Sequence, residues 1–327
     1  MDAGKIKYLN LNATAENKHM RLLSFSSVSF FFLCISSFCA AQVTWQNVDH
    51  LYTPLPQSFH VFKTTDSLDG KPNIAYYAIA DLGNKKFDFT VDTTYNRRLT
   101  PQQFFQKNGR PLLVVNCTFF SLETNQNLNI VIKDEKLLSY NARKVRERVG
   151  DTTSPFKDEK IIRGAFGISK KRNPDIAWIS TDSTEKYAHA YENVLSDTTR
   201  GNSKRWKMRT AVGGGPVLVQ DGKVFITNEQ EKMFIGNARM DKHPRTCIGY
   251  TTDGKLIIMV IEGRYPGIAE GATLEQEARL LIQLGCTEGL NLDGGGSSCM
   301  LVNGKETITP SEKGIERPVP AVFLINQ

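Results

Sequence analysis

One stretch of the chain, LIIMVI at Leu256–Ile261, is apolar at every position. A half-exposed strand alternates apolar and polar residues, so this unbroken run predicts a central strand that is covered on both faces. The pair Asp253-Gly254 stands just before it, and Asp221-Gly222 lies between the two apolar runs of PVLVQDGKVFI. An Asp-Gly pair between apolar runs is typical of a β-hairpin. The chain is therefore predicted to contain largely antiparallel sheets.

Two segments, TPQQFFQKNG and TLEQEARLLIQLG, carry the signals of helix ends. In the first, Thr100 stands at the N-cap position and Gln103 at the position that completes a capping box. Thr273 and Gln276 repeat the same arrangement in the second segment. A glycine closes each segment, as is common after a helix. We expect two capped helices.

Each predicted helix is followed by a short strand that ends in an asparagine, Asn116 or Asn291, and then by a turn of small residues. This likeness indicates a twofold internal duplication; the alternative is two unrelated helix–strand units with the same capping chemistry. The expected fold class is α+β, as a single domain of mixed, largely antiparallel sheets with a few helices. A duplication would turn both asparagines towards a shared cleft.

The first 41 residues differ from the rest, because an apolar, serine-rich run follows a positively charged start. Small residues, Cys39 and Ala41, occupy the positions that signal peptidase reads, which predicts a signal peptide at 1–41. We expect 42–72 to be an N-terminal lead-in and 73–327 the main domain, in a protein that is periplasmic or secreted. The alternatives are a membrane anchor, for which the run is short, and lipidation at Cys39.

Charge and cysteine content exclude several classes of protein. Without the first 41 residues, 41 − 4 = 37 basic and 34 − 2 = 32 acidic residues remain, a net charge of +5. This excess is too small and too dispersed for a nucleic-acid-binding protein. Four cysteines remain in that part of the chain, scattered and without the CxxC spacing of structural zinc sites.

Charged residues stand where several predicted strands begin or end. Arg245 comes just before one strand, Glu262 and Arg264 follow the next, and Asp293 follows a third. Arginine holds a phosphate through paired donors. The run Gly294–Gly296 offers backbone N–H groups that an anion could approach closely. Together these residues indicate a site for a phosphorylated substrate, although Glu262 and Arg264 could also form a plain surface ion pair.

Other chemistries fit the sequence less well. The glycine run matches neither nucleotide-binding loop pattern, and Ser297 and Ser298 lack the frame of a nucleophilic serine. No cofactor is expected. Asp293 and Asn291 could bind calcium through their oxygens, but no second carboxylate stands at the spacing of a calcium-binding loop.

Five ordered motifs together resemble the phosphodiester glycosidase family: NCTFFS, AVGGGPVLVQDGK, HPRTCIGYTTDGKLIIMVIEGR, GATLEQEARLLIQLG and NLDGGGSSCMLVNG. The resemblance spans roughly Ile74–Ile325. Three departures stand out. Cys117 and Thr118 replace two glycines of the family pattern, Glu262 stands where the family usually has aspartate, and Cys299 replaces threonine or alanine.

The resemblance implies hydrolysis of the sugar–phosphate bond of a glycosyl-1-phosphodiester, releasing an N-acetylglucosamine-like sugar and a phosphomonoester. In this hypothesis Asp293 or Glu262 is catalytic, activating water or attacking the anomeric carbon. The remaining candidates hold the phosphate (Arg245, Arg264, Gly294, Gly295 and Gly296) or the rest of the substrate (Asn116, Asn291, Thr246 and Ser297).

Two alternatives stay open. A non-catalytic protein could bind a cell-envelope polysaccharide in the same cleft without releasing sugar. A metal-dependent phosphodiesterase would cut the P–O bond instead. In all three cases the expected partner is a glycan or glycosyl phosphodiester, and neither a nucleic acid nor a stable membrane span is expected.

Overall fold

Antiparallel pairing joins the strands of every sheet that the computed structural model describes. The described residues are 42–141, 144–148, 156–181, 184, 186–194, 203–236 and 240–327. The strands, in chain order, are β1 (Gln46–Asn47), β2 (Phe59–Thr64), β3 (Ala75–Asp81), β4 (Asp88–Thr93), β5 (Leu113–Asn116), β6 (Val131–Lys133), β7 (Lys136–Ser139), β8 (Lys144–Arg148), β9 (Phe156–Lys160), β10 (Arg163–Ile168), β11 (Pro174–Thr181), β12 (Ala188–Tyr191), β13 (Lys204–Arg205), β14 (Thr210–Gly213), β15 (Val217–Gln220), β16 (Lys223–Val224), β17 (Arg245–Thr251), β18 (Lys255–Ile261), β19 (Cys286–Asn291), β20 (Met300–Val302), β21 (Lys305–Glu306) and β22 (Ala321–Asn326). The helices are α1 (Pro101–Lys107), α2 (Asn228–Glu231) and α3 (Leu274–Gln283).

Three of the sheets build the domain. The largest has eight strands in the order β1-β2-β3-β18-β17-β19-β15-β16. The second has seven strands, β13-β12-β11-β10-β14-β6-β7, and the third has five, β21-β20-β5-β22-β4. A separate pair is formed by β8 and β9. The expected α+β class with largely antiparallel sheets is confirmed, whereas a twofold duplication is not.

The apolar run Leu256–Ile261 forms most of β18, which lies between β3 and β17 and is buried throughout. Its residues alternate between two cores. Leu256, Ile258 and Val260 face the core that all three sheets share, and the residues between them face the core beneath α3. The predicted central strand is confirmed, and the second core explains why no position in it is polar.

The shared core brings the three sheets together through large side chains. Phe166 of the seven-stranded sheet and Phe323 of the five-stranded sheet pack edge to face, with ring centroids 6.1 Å apart. Helix α3 covers the other face of the eight-stranded sheet. Helix α1 covers the other face of the five-stranded sheet through Phe104 and Phe105. Each helix therefore shields the part of the sheet face beneath it from water.

Both predicted capping boxes are present. The Thr100 hydroxyl accepts a hydrogen bond from the Gln103 amide at 3.1 Å, and the Gln103 side chain accepts from the Thr100 amide at 2.9 Å. Thr273 and Gln276 make the same pair of bonds at 3.2 and 2.9 Å. Each pair satisfies two backbone donors that the first turn of a helix leaves without partners.

The two predicted hairpins are also confirmed. β15 and β16 are joined by Asp221 and Gly222, with φ values of 52° and 69°. β17 and β18 are joined through a turn that contains Gly254, with a φ of 78°. Positive φ is accessible to glycine without steric cost, so the Asp-Gly pairs set these turns.

The segment 42–72, expected as a lead-in, contributes β1 and β2 to the edge of the eight-stranded sheet. Strand β2 pairs with β3 over its whole length. The predicted signal peptide lies outside the described residues. Within the described part of the chain, no helix has the length and apolar character needed to cross a membrane. The cysteines at 117, 247, 286 and 299 are buried free thiols.

Candidate active site

The glycine-rich turn begins where β19 ends and is fixed by three backbone hydrogen bonds. The amide of Leu292 donates to the carbonyl of Thr246, and the amide of Asp293 donates to the carbonyl of Cys117, both at 2.8 Å. The amide of Gly295 donates to the carbonyl of Pro244, also at 2.8 Å. The turn therefore lies between the segment that follows β5 and the start of β17. This contact brings the two asparagine turns of the sequence side by side.

Each of the three glycines has a different neighbour in the place where a Cβ atom would stand. At Gly294 that atom would lie 2.8 Å from the carbonyl oxygen of Pro244. At Gly295, where φ is 60°, it would lie 2.8 Å from a guanidinium nitrogen of Arg264. At Gly296 it would collide with the guanidinium of Arg317. The bare backbone thus makes room for one chain segment and two arginine side chains.

Asp293 sits on this turn with a carboxyl group that titrates near neutrality. Burial raises the pKa of Asp293 to about 7, while a hydrogen bond from Ser297 and the charge of Arg317 act in the opposite direction. A carboxyl group poised near the working pH is a common feature of catalytic acids and bases. Asp293 can therefore exist in either protonation state under ordinary conditions.

Two arginines lie over the turn, one exposed and one half-buried. Arg264 is exposed and has a positive φ of 67°, which directs its side chain over Gly295. Arg317 forms an ion pair with Glu312 and donates to the hydroxyl of Ser297 at 3.5 Å. A hydrogen bond from Arg317, together with the charges of both arginines, holds the pKa of Glu312 below its usual range. The turn thus carries a positive field beside the Asp293 carboxyl.

Arg245 lies at the same turn, but its guanidinium is buried. Its Cα is 3.7 Å from the Cβ position of Gly294, and its side chain donates to the carbonyls of Ala272 at 2.9 Å and Asp241 at 3.1 Å. The guanidinium also lies over the ring of Phe234, 5.7 Å from the centroid. Its predicted role in phosphate binding stays a prediction, and in this geometry its donors are engaged with the protein backbone.

Glu262, the second catalytic candidate, is buried at the end of β18 with 6% of its surface exposed. One of its carboxylate oxygens accepts a hydrogen bond from the amide of Thr309 at 2.8 Å. The next residue but one is Arg264, so Glu262 fixes the base of the loop that carries this arginine. Its second carboxylate oxygen leaves capacity for a further bond.

Asn116 links three parts of the site. Its amide donates to the carbonyl of Asp293 at 2.5 Å, and its side-chain oxygen accepts from the Thr246 hydroxyl and the Cys299 amide, both at 3.0 Å. The Thr246 hydroxyl also contacts that of Ser298 at 3.2 Å. Asn116, Thr246, Ser298 and Cys299 are all buried. Asn116 and Thr246, predicted to bind substrate, therefore form the frame that holds the turn.

Asn291 has a similar position on the other side. Its side-chain amide donates to the carbonyl of Gly215 at 2.7 Å, and its backbone carbonyl accepts from the Gly215 amide at 2.8 Å. Its side-chain oxygen is buried without a hydrogen-bond partner among the described residues. Ser297, also buried, lies closer to the reacting groups through its bonds to Asp293 and Arg317.

Comparison with known proteins identifies the family to which the chain belongs. The sequence profile of the phosphodiester glycosidase family matches residues 109–326, which is more than half of the 327-residue chain. The chain belongs to the phosphodiester glycosidase family. This match includes the glycine turn, Arg264, Arg317 and the Asn116 frame.

Individual relatives of this family member are distant. The SPbeta prophage-derived uncharacterized protein YomE of Bacillus subtilis (strain 168) is 42% identical over 85 residues, which cover 26% of this chain and only 13% of that protein. The catalytic domain of zebrafish N-acetylglucosamine-1-phosphodiester alpha-N-acetylglucosaminidase, auto-inhibited by its pro-peptide, has a TM-score of 0.59 and 20% identity, covering 88% of this chain and 89% of that one.

A hypothetical protein from Synechocystis has a TM-score of 0.60 and 12% identity, covering 86% of this chain and 63% of that chain. At such identities the likeness to solved structures establishes the fold alone. The assignment to the phosphodiester glycosidase family rests on the sequence profile.

Two residues of this family member escaped the sequence analysis. Arg245 was singled out because it stands directly before a predicted strand. Arg317 stands several residues before β22, so its position in the sequence did not mark it in the same way. His243, which directly precedes Pro244, is half-buried beside the turn. Burial and the charges of Arg245 and Arg264 lower the pKa of His243, which keeps it neutral at pH 7.

Proposed function

We propose that this phosphodiester glycosidase family member hydrolyses the bond between the anomeric carbon of a sugar and a phosphate oxygen. The substrate would be a glycosyl-1-phosphodiester with an N-acetylglucosamine-like sugar, and the products the free sugar and a phosphomonoester. The observation that carries the proposal is the carboxyl of Asp293, with its pKa of about 7, on a glycine turn that both Arg264 and Arg317 contact.

The arginines suit the leaving group. When the bond between carbon and oxygen breaks, its electron pair passes to the phosphate oxygen, and the departing phosphomonoester gains negative charge. Because a phosphomonoester has a second pKa of about 6, it leaves with little need for protonation. Arg264 and Arg317 lie where they would stabilise that charge, an effect that acts most strongly in the transition state.

Asp293 would act at the sugar carbon in its ionised form. It either takes a proton from the water that attacks the anomeric carbon or attacks that carbon itself, in which case water later releases the sugar. Ser297 donates to this carboxyl, so it would orient Asp293. Glu262 would position Arg264 by fixing the start of the loop that carries this arginine.

The predicted signal peptide supports a further part of the proposal, namely that the reaction takes place outside the cytoplasm. The substrate would then be a glycosyl phosphodiester of the cell envelope. The likeness to an N-acetylglucosamine-1-phosphodiester glycosidase fold supports the choice of N-acetylglucosamine as the first sugar to test.

The test is product analysis with UDP-N-acetylglucosamine and with the methyl diester of N-acetylglucosamine 1-phosphate, each with and without EDTA. Free sugar with an intact phosphomonoester or UDP, insensitive to EDTA, is the expected result. Asp293→Asn should abolish it, whereas Asp221→Asn, which leaves a hairpin-compatible Asn-Gly turn, should not. Sugar phosphate formed only without EDTA would favour a metal-dependent phosphodiesterase, and glycan binding without any product would favour a non-catalytic protein.

A further inference from the structure

A cavity of about 370 Å³ opens between the edge strands of two sheets. One wall comes from the end of β4 and the residues after it, and the other from β7, the edge strand of the seven-stranded sheet. The loop between β5 and β6 forms the floor. We call this cavity the tyrosine groove, because Tyr95 and Tyr140 stand on its two sides. Its volume is within the range of small-molecule sites.

The tyrosine groove has large exposed rings. Tyr95 has 83% of its surface exposed and Tyr140 38%, and between them Leu138 has 44% exposed. A soluble protein usually buries much of a large aromatic side chain. Rings held open on both sides of a cavity offer flat apolar faces to a ligand, and each tyrosine also has a hydroxyl group that can form hydrogen bonds.

The remaining lining is polar but uncharged. Three amide side chains, Asn96, Gln126 and Asn127, line the groove together with hydroxyl residues, and none of the described lining residues carries a charge. Hydrogen bonds within the groove fix these amides. Gln126 donates to the side-chain oxygen of Asn96 at 3.1 Å, and Asn127 donates to the hydroxyl of Thr93 at 2.9 Å. Amides and hydroxyls supply both donors and acceptors without favouring either sign of charge.

This combination is suited to a neutral saccharide. The C–H face of a sugar ring is apolar and packs on an aromatic face, while the hydroxyl groups around its edge need both donors and acceptors. A phosphate or carboxylate ligand would require arginine, lysine or a run of amide N–H groups, and the groove supplies none of these among its described lining residues.

The tyrosine groove is joined to the glycine turn by a short chain of contacts. The carbonyl of Cys117 accepts the amide of Asp293 at 2.8 Å. The next residue, Thr118, donates through its hydroxyl to the Asn127 side chain in the groove floor at 2.5 Å. Cys117 and Thr118 are the residues that replace two glycines of the family pattern. A glycine at 118 would have no side chain with which to make this bond.

We propose that the tyrosine groove binds neutral saccharide units attached to the sugar that reacts at Asp293. The substrate of this chain is then an oligosaccharide carrying the phosphodiester, rather than a single glycosyl unit. This inference rests on the proposed function for the identity of the reacting bond, but binding of saccharide in the groove is measurable without any hydrolysis.

The first test measures binding of the purified chain to chitotetraose, maltotetraose and cellotetraose by calorimetry, with tetragalacturonic acid as an anionic comparator. At least one neutral tetrasaccharide should bind, and Tyr95→Ala or Tyr140→Ala should weaken its binding by about tenfold, the equivalent of one aromatic contact. Tyr187→Ala, at an exposed tyrosine outside the groove, is the matched control and should bind as the unaltered chain does.

The inference would be overturned by no binding of any neutral tetrasaccharide, or by binding that both groove variants leave unchanged. Preferential, Tyr95-dependent binding of tetragalacturonic acid would also overturn it, because the groove would then select charge. These outcomes do not depend on catalysis, so a chain that binds tetrasaccharide through Tyr95 but releases no sugar would disprove the proposed function and leave the groove assignment standing.

A kinetic test then places the groove relative to the reacting bond. Tyr95→Ala should leave kcat/KM for the methyl diester of N-acetylglucosamine 1-phosphate unchanged. It should lower kcat/KM about tenfold for the corresponding diester of a tetrasaccharide 1-phosphate. An equal effect on both substrates, or no effect on either, would show that the groove does not hold the units next to the reacting sugar.

Discussion

Arg317 lies so close to Gly296 that a Cβ atom at position 296 would collide with its guanidinium. The same guanidinium bonds to Ser297, which in turn donates to Asp293. The absence of a side chain at Gly296 is thus part of the geometry that places a positive charge next to the carboxyl. The glycine run has a steric reason at every position.

The first prediction separates two of these glycines. At Gly296 an added methyl group meets the flexible end of Arg317, whereas at Gly294 it meets the backbone carbonyl of Pro244. Gly296→Ala should therefore displace Arg317, keep the unfolding free energy within about 1 kcal/mol and lower kcat/KM. Gly294→Ala should lower the unfolding free energy by about 1–3 kcal/mol, since backbone must move. Urea unfolding and steady-state kinetics on both variants check this, and equal stability losses would contradict it.

The second prediction concerns Arg264 and Arg317. Arg264→Ala and Arg317→Ala should each lower kcat/KM by about 10²–10³-fold, the usual effect of removing one charge-stabilising donor. Neither guanidinium is buried, so both variants should unfold at nearly the urea concentration of the unaltered chain. Lys305→Ala, at an exposed lysine on β21, serves as the control for a lost positive charge. Full activity in both arginine variants would contradict the proposal that these arginines stabilise the charge of the leaving phosphate.

The third prediction distinguishes Arg245 from that pair. Its buried guanidinium satisfies two backbone carbonyls and lowers the pKa of Glu277, which burial raises to about 8. Leaving buried backbone carbonyls without their donor typically costs about 1–3 kcal/mol. Arg245→Ala should lower the unfolding free energy by about that amount, and kcat/KM per folded molecule should fall less than in Arg317→Ala. A stable Arg245→Ala variant with the larger kinetic defect would instead support a direct role in phosphate binding.

The fourth prediction follows from the pKa of Asp293. Because burial raises this pKa from 3.8 to about 7, the folded chain holds a proton that the unfolded chain has lost. The unfolding free energy should therefore fall as pH rises from about 4 to 7, by at most about 1.4 kcal/mol per pH unit from this group. Activity should rise through an apparent pKa near 7, since the ionised carboxyl reacts.

Asp293→Asn separates the two effects, as it should abolish activity and flatten the fall of the unfolding free energy over that pH range. Chemical denaturation at a series of pH values measures the second effect independently of any substrate. An unchanged pH dependence in Asp293→Asn would mean that the buried carboxyl does not titrate as described.

Local signals in the sequence were enough to predict the parts of the fold that depend on residues close together in the chain. The capping pairs at Thr100 and Thr273, the two Asp-Gly hairpins and the strand Leu256–Ile261 are all where the sequence indicates. Each depends on backbone conformation or burial pattern within a dozen residues. The partition of strands among three sheets depends on long-range pairing, which is why β3 and β4, close in sequence, lie in different sheets.

The candidate site was predictable in part for the same reason. Residue type and position next to predicted strands were enough to identify Asp293, Arg264 and the glycines as candidates. The structure brings them together at one turn. The direction of the Arg245 side chain depends on Ala272 and Asp241, which supply carbonyls that no sequence pattern specifies. Arg317 reaches the turn from a separate loop, so only the folded chain shows its proximity to Gly296.

The most direct test of the account is hydrolysis of the methyl diester of N-acetylglucosamine 1-phosphate in ¹⁸O-labelled water, with mass analysis of the methyl phosphate released. If Asp293 directs water to the anomeric carbon while Arg264 and Arg317 hold the leaving phosphate, the carbon–oxygen bond breaks and the methyl phosphate carries no ¹⁸O. Methyl phosphate containing ¹⁸O would show attack at phosphorus and contradict the account.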